Sequence, residues 1–275
     1  KERLLAERLT RKSKRIFELL SITNYHWEEV FWWLLARNFG MKVNADAFEE
    51  IARSIPINIL AKHKNQIHQI EALLFGQGNL LDGDFNDDYP KLLQREYRFL
   101  KKKYNLTDVH SSVQLLRMRP GNFPHIRLAE LAAVIKQSTH LFTKIIEVVR
   151  IQDIKELFNA KANDYWHYHY VFDNPGKFKP KVIGVEMINN ILVNTVVPMI
   201  FSYGIYHNKE SLKSKALVYL EQIQSENNSI ISGFRDLKLE IISAYDSQAL
   251  IELKNEYCSK KRCLSCSVGN AILRN

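Results

Sequence analysis

Residues 23–40 read TNYHWEEVFWWLLARNFG and predict a helix at the centre of a hydrophobic core. The segment holds three of the four tryptophans in the chain: Trp27, Trp32 and Trp33. Indole rings are large apolar groups, so a helix that carries several of them must be covered by other parts of the protein. Thr23 or Asn24 is the predicted N-cap, and Gly40 is the predicted stop.

The same helical spacing of apolar residues extends along most of the 275 residues. The chain has only 10 Gly and 7 Pro, which disfavours a loop-rich or all-β protein. We therefore predict an all-α fold, a single multi-helix array of about ten or more helices. At most one short β-hairpin is expected, near Tyr165–Lys181. Residues 1–275 are predicted to form one helical domain, with a weak subdivision at 174–181, where Asn-Pro-Gly turns the chain.

The most apolar stretch, Ile188–Ile205, is interrupted by asparagines, a threonine, a proline and a serine. That pattern predicts a buried core helix, and no membrane association is expected. The first residues, KERLLAERLTRKSKR, are charged and amphipathic, unlike a signal peptide. We expect a cytoplasmic protein, and since Lys1 stands where an initiator methionine would be, we expect a longer natural chain.

The formal net charge is +9, and the isoelectric point is near 9.3. Basic proteins of this size often bind DNA or RNA. The candidate nucleic-acid or phosphate-binding residues are Arg95, Arg98, Lys101, Lys102, Lys103, Arg117, Arg119 and Arg127. A turn in this region leads to a predicted helix start at Pro124, where free N–H groups favour phosphate. The alternative is a solvated face without a partner.

All three cysteines, Cys258, Cys263 and Cys266, lie near the end of the sequence with the spacing Cys-x4-Cys-x2-Cys. Thiolates this close can converge on one metal ion, and zinc or an iron–sulfur cluster are the candidates. A closed zinc site needs a fourth ligand, which no further cysteine supplies. The alternative is three small side chains packed at a helix end.

His167 and His169 lie in the aromatic segment YWHYHYVF. In a short strand, residues two apart share a face, so the pair could bind a metal or transfer protons. The two histidines are also the candidates for the missing fourth ligand of the cysteine site. The alternative is a pair of packed aromatic rings. No catalytic constellation is found, and the Gly-rich segment LFGQGNLL lacks the Lys and Ser/Thr of a P-loop.

Several segments resemble an uncharacterised bacterial family, domain of unknown function family 2851. They run in order along nearly the whole chain: LLARNFGMKVNADAFEEIARSIP, AKHKNQIHQIEALLFGQ, DDYPKLLQREYRFLKKKYNL, LRMRPGNFPHIRLAELA, INNILVNTVVPMIFSYG and AYDSQALIELKNEYCSKKRCLSCSVGNAIL. Cys258, Cys263 and Cys266 match the terminal pattern of that family.

The resemblance implies a longer protein with an N-terminal region similar to a restriction-endonuclease-like core. That region is expected to carry a GPDF and a later EIH stretch, neither of which occurs here. Any nuclease activity would then lie outside this chain, which would be a helical accessory region that binds nucleic acid. A helical protein-interaction scaffold, with scattered basic residues and an exposed apolar patch, is the alternative. An enzyme that uses His167 and His169 is a third hypothesis.

Overall fold

The computed structural model describes residues 1–115, 119–138 and 140–273, and it confirms the all-α prediction. Helices form nearly all the regular structure of these ranges, well over the ten that the sequence predicts. In place of a hairpin, the described residues contain only single antiparallel bridges: Lys161 with Val182, His169 with Pro175, and Gln224 with Ser243.

The chain groups into two compact units. The central unit is Thr23–Ile191, and the terminal unit combines Lys1–Ile22 with the chain from Leu192 onward. The predicted subdivision at 174–181 falls inside the central unit. A single domain over the whole chain stays a prediction.

The central unit contains ten α-helices in its described part. They are α2 (Trp27–Phe39), α3 (Ala45–Ser54), α4 (Ile57–Lys62), α5 (Ile67–Gln77), α6 (Asp88–Tyr104), α7 (Pro124–Gln137), α8 (Leu141–Glu147), α9 (Ile151–Leu157), α10 (Asp164–Tyr168) and α11 (Val185–Ile191). A short 3-10 turn, Pro120–Asn122, precedes α7.

The tryptophan-rich helix α2 lies at the core of the central unit, where it contacts α3, α4, α7, α8 and α11. Trp32 is 1% exposed, and its indole N–H donates to the carbonyls of Ala52 and Ile55, each at 3.0 Å. These bonds close the C-terminal end of α3, whose last carbonyls have no partner within the helix. The Arg53 guanidinium covers the ring of Trp33 at 4.6 Å.

The predicted helix limits are wrong in two places. The N-cap of α2 is His26, whose Nδ1 accepts from the Glu29 N–H at 3.1 Å. Asn24 cannot cap, since it and Tyr25 have positive φ angles of 50° and 61°. The helical spacing of apolar residues over 58–77 predicts one helix, but these residues belong to two, α4 and α5. His63 ends α4, and its ring bonds to Gln69 and to the Tyr104 hydroxyl.

The terminal unit, over its described residues, contains α1 (Glu2–Ile22), α12 (Val197–Tyr206), α13 (Glu210–Gln222), α14 (Ser229–Asp236), α15 (Ala244–Glu252) and α16 (Ser267–Leu273). Helix α1 packs against α12 and α15. Glu252 is buried and ion-paired with Arg8 at 3.6 Å and Arg11 at 2.5 Å. Ser243 caps α15 in a capping box with Asp246.

The apolar stretch forms a helix over Val185–Tyr206 with a π-helical turn at Leu192–Val196. Its length and composition would suffice to cross a membrane, but 67% of its apolar window is buried within the protein. That burial matches the predicted core helix. The cytoplasmic location stays a prediction.

Replacing Gly76 with alanine is expected to lower the free energy of unfolding by about 1–3 kcal/mol, because α5 and α6 touch at this point. A Cβ atom at Gly76 would lie 2.2 to 2.4 Å from ring atoms of Tyr97. Urea denaturation measures the change. The control is Gly233→Ala in α14, where a Cβ would have no atom within 4 Å and should raise helix stability. Equal stability of Gly76→Ala and the unmodified protein would contradict this packing.

Candidate functional site

Helix α6 carries most of the predicted basic residues, and a buried carboxylate holds its first turn in place. The Tyr89 hydroxyl donates to Glu71 at 2.7 Å, and the Trp166 indole N–H donates to the same oxygen at 2.9 Å. Asn163 donates to the Tyr89 oxygen at 2.6 Å. Glu71 is fully buried on α5. One carboxylate thus joins α5, α6 and α10.

The aromatic and histidine segment also fixes the start of α6. The Tyr165 hydroxyl donates to Asp87, the residue before α6, at 2.7 Å. The Asp173 carboxylate accepts from the N–H groups of Asn86 at 2.7 Å and Asp87 at 2.9 Å. His169 lies 3.3 Å from the Asp87 carboxylate and stacks on Tyr165 with a centroid distance of 3.9 Å. His169 therefore belongs to a structural anchor.

The two histidines do not share a strand face, because His167 lies in helix α10 (Asp164–Tyr168) and His169 is its C-cap. The buried His167 ring accepts the Lys181 N–H at Nδ1, at 3.1 Å. Burial lowers its pKa, which favours the neutral ring that this bond requires. His169 bonds instead to the Tyr165 carbonyl and faces Asp87. The two rings have different partners and do not form a joint site.

Four exposed cations lie on one face of α6, which we call the basic stripe: Lys91, Arg95, Arg98 and Lys102. Their spacing of four, three and four residues places them along one side of a helix. None of the four has an ion pair among the described residues. The opposite side is buried through Pro90, Leu93 and Leu100. Helix α6 therefore presents a row of positive charges to solvent.

The remaining predicted cations of α6 have other partners. Lys101 is ion-paired with Asp108. The Lys103 ammonium lies 5.7 Å from the ring centre of Phe99 and 5.2 Å from that of Tyr104. Phe99 is 58% exposed and follows Arg98 directly, so it lies beside the basic stripe. The sequence analysis missed Phe99, although its spacing of four residues from Arg95 and Lys103 was a usable signal.

The other predicted phosphate-binding residues lie away from α6 in the sequence. Arg119 is exposed and precedes the 3-10 turn Pro120–Asn122. Arg127 points inward from α7, donating to Glu130 at 2.8 Å and to Asn122 at 2.6 Å. Its side chain is only 12% exposed. Arg117 lies outside the described residues.

The three cysteines lie in the terminal unit, whereas His167 and His169 belong to the central unit. Cys258 and Cys263 are exposed, and all three thiols are free. Cys266 is 7% exposed and packs in an apolar cluster with Ile231, Ile241, Leu250, Leu253 and Tyr257. In the part of the chain that the structure describes, no three His, Cys, Asp or Glu side chains are grouped to hold a metal ion. A zinc or iron–sulfur site stays a prediction.

Two buried glutamates also escaped the sequence analysis. Burial raises the pKa of Glu71 to about 7, despite the hydrogen bonds from Trp166 and Tyr89 that oppose the shift. Burial likewise raises the pKa of Glu130 to about 7, against the charge of Arg127. The available signal was a lone acid inside an apolar helical run, as in IEALLF and AELAAVI.

Comparison with protein families gives a match over residues 1–229 to the family described as "Protein of unknown function (DUF2851)". No curated protein matches the chain, and no solved structure does. The α6 and α7 residues described above lie within the matched range, whereas the three cysteines lie beyond it.

Replacing Glu71 with glutamine is expected to raise the free energy of unfolding by up to about 3 kcal/mol at pH 8. The ordinary pKa is 4.5, and burial raises it to about 7. The protonated Glu71 carboxyl makes its full contribution to the free energy of unfolding below pH 4.5. That contribution is lost as the pH rises through 7. Glutamine has no proton to lose, so the difference should vanish near pH 4.5. Urea unfolding of Glu71→Gln and of the unmodified protein between pH 4.5 and 8 measures this difference in the free energy of unfolding.

The control is Glu50→Gln, which should have the opposite sign. Hydrogen bonds from the Ser111 hydroxyl and then from the His110 N–H lower the pKa of Glu50. Its contribution is therefore present above pH 4.5 and lost below it. Parallel pH profiles for Glu71→Gln and the unmodified protein would show that the Glu71 carboxyl is not strained by burial.

Proposed function

The chain belongs to the DUF2851 family, whose description states no function, and on this premise we propose that it binds nucleic acid through the basic stripe of α6. The observation that carries the proposal is a row of four exposed cations without an ion pair among the described residues. Electrostatic attraction to phosphates is the main source of sequence-independent nucleic-acid binding.

The dimensions of the stripe suit a sugar–phosphate backbone. With a rise of 1.5 Å per residue, Lys91 and Lys102 lie about 16 Å apart along the helix axis. That length places the four cations beside several successive phosphates of a strand. Arg95 and Arg98 add planar guanidinium groups, which bond phosphate oxygens in pairs. The rigid helix holds these groups before the nucleic acid arrives.

Phe99 favours single-stranded over double-stranded nucleic acid. Its exposed ring offers a stacking surface to an unpaired base, and flanking cations hold the backbone nearby. In a duplex the bases are already stacked on each other, so the ring would gain little. Tyr104 is half-buried, and its ring centre lies 5.7 Å from the Lys62 ammonium and 5.2 Å from the Lys103 ammonium.

We infer a wider role from the resemblance to a nuclease-like protein. This chain would hold a strand as a helical accessory region, and catalytic residues outside it would cut the strand. The scaffold alternative predicts basic residues scattered in space. The alignment of the stripe on one face of α6 favours nucleic-acid binding over that alternative.

The triple change Arg95→Ala, Arg98→Ala and Lys102→Ala is expected to weaken binding of a single-stranded 20-mer at least about tenfold at low salt. Removing three phosphate contacts should also lower the slope of log K against log salt by about 2. Fluorescence anisotropy over a salt series measures both quantities. The control removes three exposed lysines elsewhere: Lys42→Ala, Lys209→Ala and Lys254→Ala.

The control has the same net charge as the stripe variant, so it separates a local contact from a general charge effect. Equal loss of affinity in the two variants would reject the basic stripe as the interface. Absence of binding by the unmodified chain at low salt would reject the proposal altogether.

Replacing Phe99 with alanine is expected to weaken single-strand binding by about 1–3 kcal/mol. Duplex binding and the salt slope should stay unchanged, because stacking involves no phosphate. The same anisotropy assay compares the two substrates. The control is Phe178→Ala, which removes another exposed ring, 57% accessible, from the central unit. Equal losses for single strands and duplexes would contradict stacking.

A further inference from the structure

We propose that a cavity beside the start of α7 binds a phosphate monoester group. Its volume is about 230 Å³. The polar and turn residues that line it include Gly121, Arg127, Glu130, Tyr170, Lys179 and Lys181. All of them belong to the central unit, and none belongs to the basic stripe. The inference therefore goes beyond the proposed function.

Arg127 is held ready for a ligand. Glu130 accepts from Nη1 at 2.8 Å, and Asn122 accepts from Nη2 at 2.6 Å. The Nε–H group is shielded from solvent and has no hydrogen-bond partner. A buried donor without a partner costs free energy. The fixed guanidinium also loses little freedom on binding.

Lys181 is a buried cation without a carboxylate partner. Its residue is 5% exposed, and its ammonium lies 3.8 Å from the ring centre of Tyr170. That ammonium donates a hydrogen bond to the Lys179 carbonyl, at 3.2 Å. Among the described residues no acid lies within ion-pair distance of it. The nearest acid shown to act on it is Glu130, which interacts with Lys181 through charge and without an ion pair. A buried charge that lacks a close partner costs free energy, so an anion in the cavity would stabilise this cation.

Backbone bonds hold the two lysines on the cavity wall. The His167 carbonyl accepts from the Lys179 N–H at 2.8 Å, and the His167 ring accepts from the Lys181 N–H at 3.1 Å. The Lys181 carbonyl accepts from the Ala162 N–H at 2.9 Å. This gives His167 a positioning role, since its neutral ring orders the segment that carries Lys181.

The charge and size of the cavity favour a small dianion. Three cations, Arg127, Lys179 and Lys181, line the cavity together with two acids, Glu130 and Glu186. Glu186 is exposed to solvent, and burial raises the pKa of Glu130 to about 7, so the cations outweigh the acids. Ile126, in the first turn of the 14-residue helix α7, also lines the cavity, and helix starts attract anions. Pockets for drug-sized ligands begin at roughly 300 Å³, so this space suits a single phosphate group.

Isothermal titration calorimetry of the full chain with inorganic phosphate and with adenosine 5′-monophosphate tests the cavity. Lys181→Met keeps the apolar stem on Tyr170 and removes the charge, so affinity should fall at least about tenfold. The matched control, Lys177→Met, changes an exposed lysine of the same segment that does not line the cavity and should bind normally. Sodium acetate should not compete.

Thermal unfolding with and without phosphate gives a second readout. Phosphate should stabilise the unmodified chain and Lys177→Met, but not Lys181→Met. If Lys181→Met does not fold, the double change Arg127→Met and Glu130→Gln removes the guanidinium together with its carboxylate partner, and it should also abolish phosphate binding. Normal phosphate binding by Lys181→Met or by the double variant, or equal binding of acetate, would overturn the proposal.

Two oligonucleotides that differ only in carrying a 5′-phosphate or a 5′-hydroxyl distinguish the two possible sources of the phosphate group. These are the end of a nucleic acid and a free phosphate ester. Tighter binding of the phosphorylated strand, lost in Lys181→Met, identifies a nucleic-acid end as the ligand. Equal binding of the two strands, with phosphate binding intact, identifies a free phosphate ester. The triple basic-stripe variant should retain phosphate binding, so failure of one proposal is distinguishable from failure of the other.

Discussion

The buried carboxyl group of Glu71 joins three helices, and the position of α6 depends on it. It accepts hydrogen bonds from Tyr89 on α6 and from Trp166 on α10, while Glu71 itself is on α5. Burying this group is costly, as its raised pKa indicates. The buried carboxyl group provides directional hydrogen bonds among the three helices. Apolar packing alone would allow these helices to slide past one another. Any function of the exposed face of α6 rests on those hydrogen bonds.

The two faces of helix α6 have different roles. Its buried side meets α5, where Gly76 allows Tyr97 to approach closely. Its exposed side carries the basic stripe, whose four cations have no ion pair among the described residues. Repulsion among the cations of such a basic surface lowers the stability of the folded protein slightly. A bound anion offsets that repulsion. Part of the positive charge of the chain is thus concentrated on one face of this helix.

The segment 164–181 has two structural roles that its histidines did not reveal. Its first part anchors the start of α6 through Tyr165, His169 and Asp173. Its last part places Lys181 in a cavity opposite Arg127, with the His167 ring fixing the backbone. The His167 ring accepts a backbone hydrogen bond, and the His169 ring packs on Tyr165. The pair thus orders the two charged regions of the central unit without forming a site of its own.

By itself, the sequence determined the all-α class, the start of α7 at Pro124, the burial of Trp32 and the basic outer face of α6. These features depend on composition and on a periodicity of 3.6 residues, which are local. Only the tertiary structure decided that Arg127 is buried beside Glu130 while Arg98 is exposed, and that Glu71 meets Trp166. Glu71 and Trp166 are 95 positions apart, and the i,i+3 spacing of Arg127 and Glu130 does not reveal that this pair is buried. No local pattern specifies which helix faces will meet.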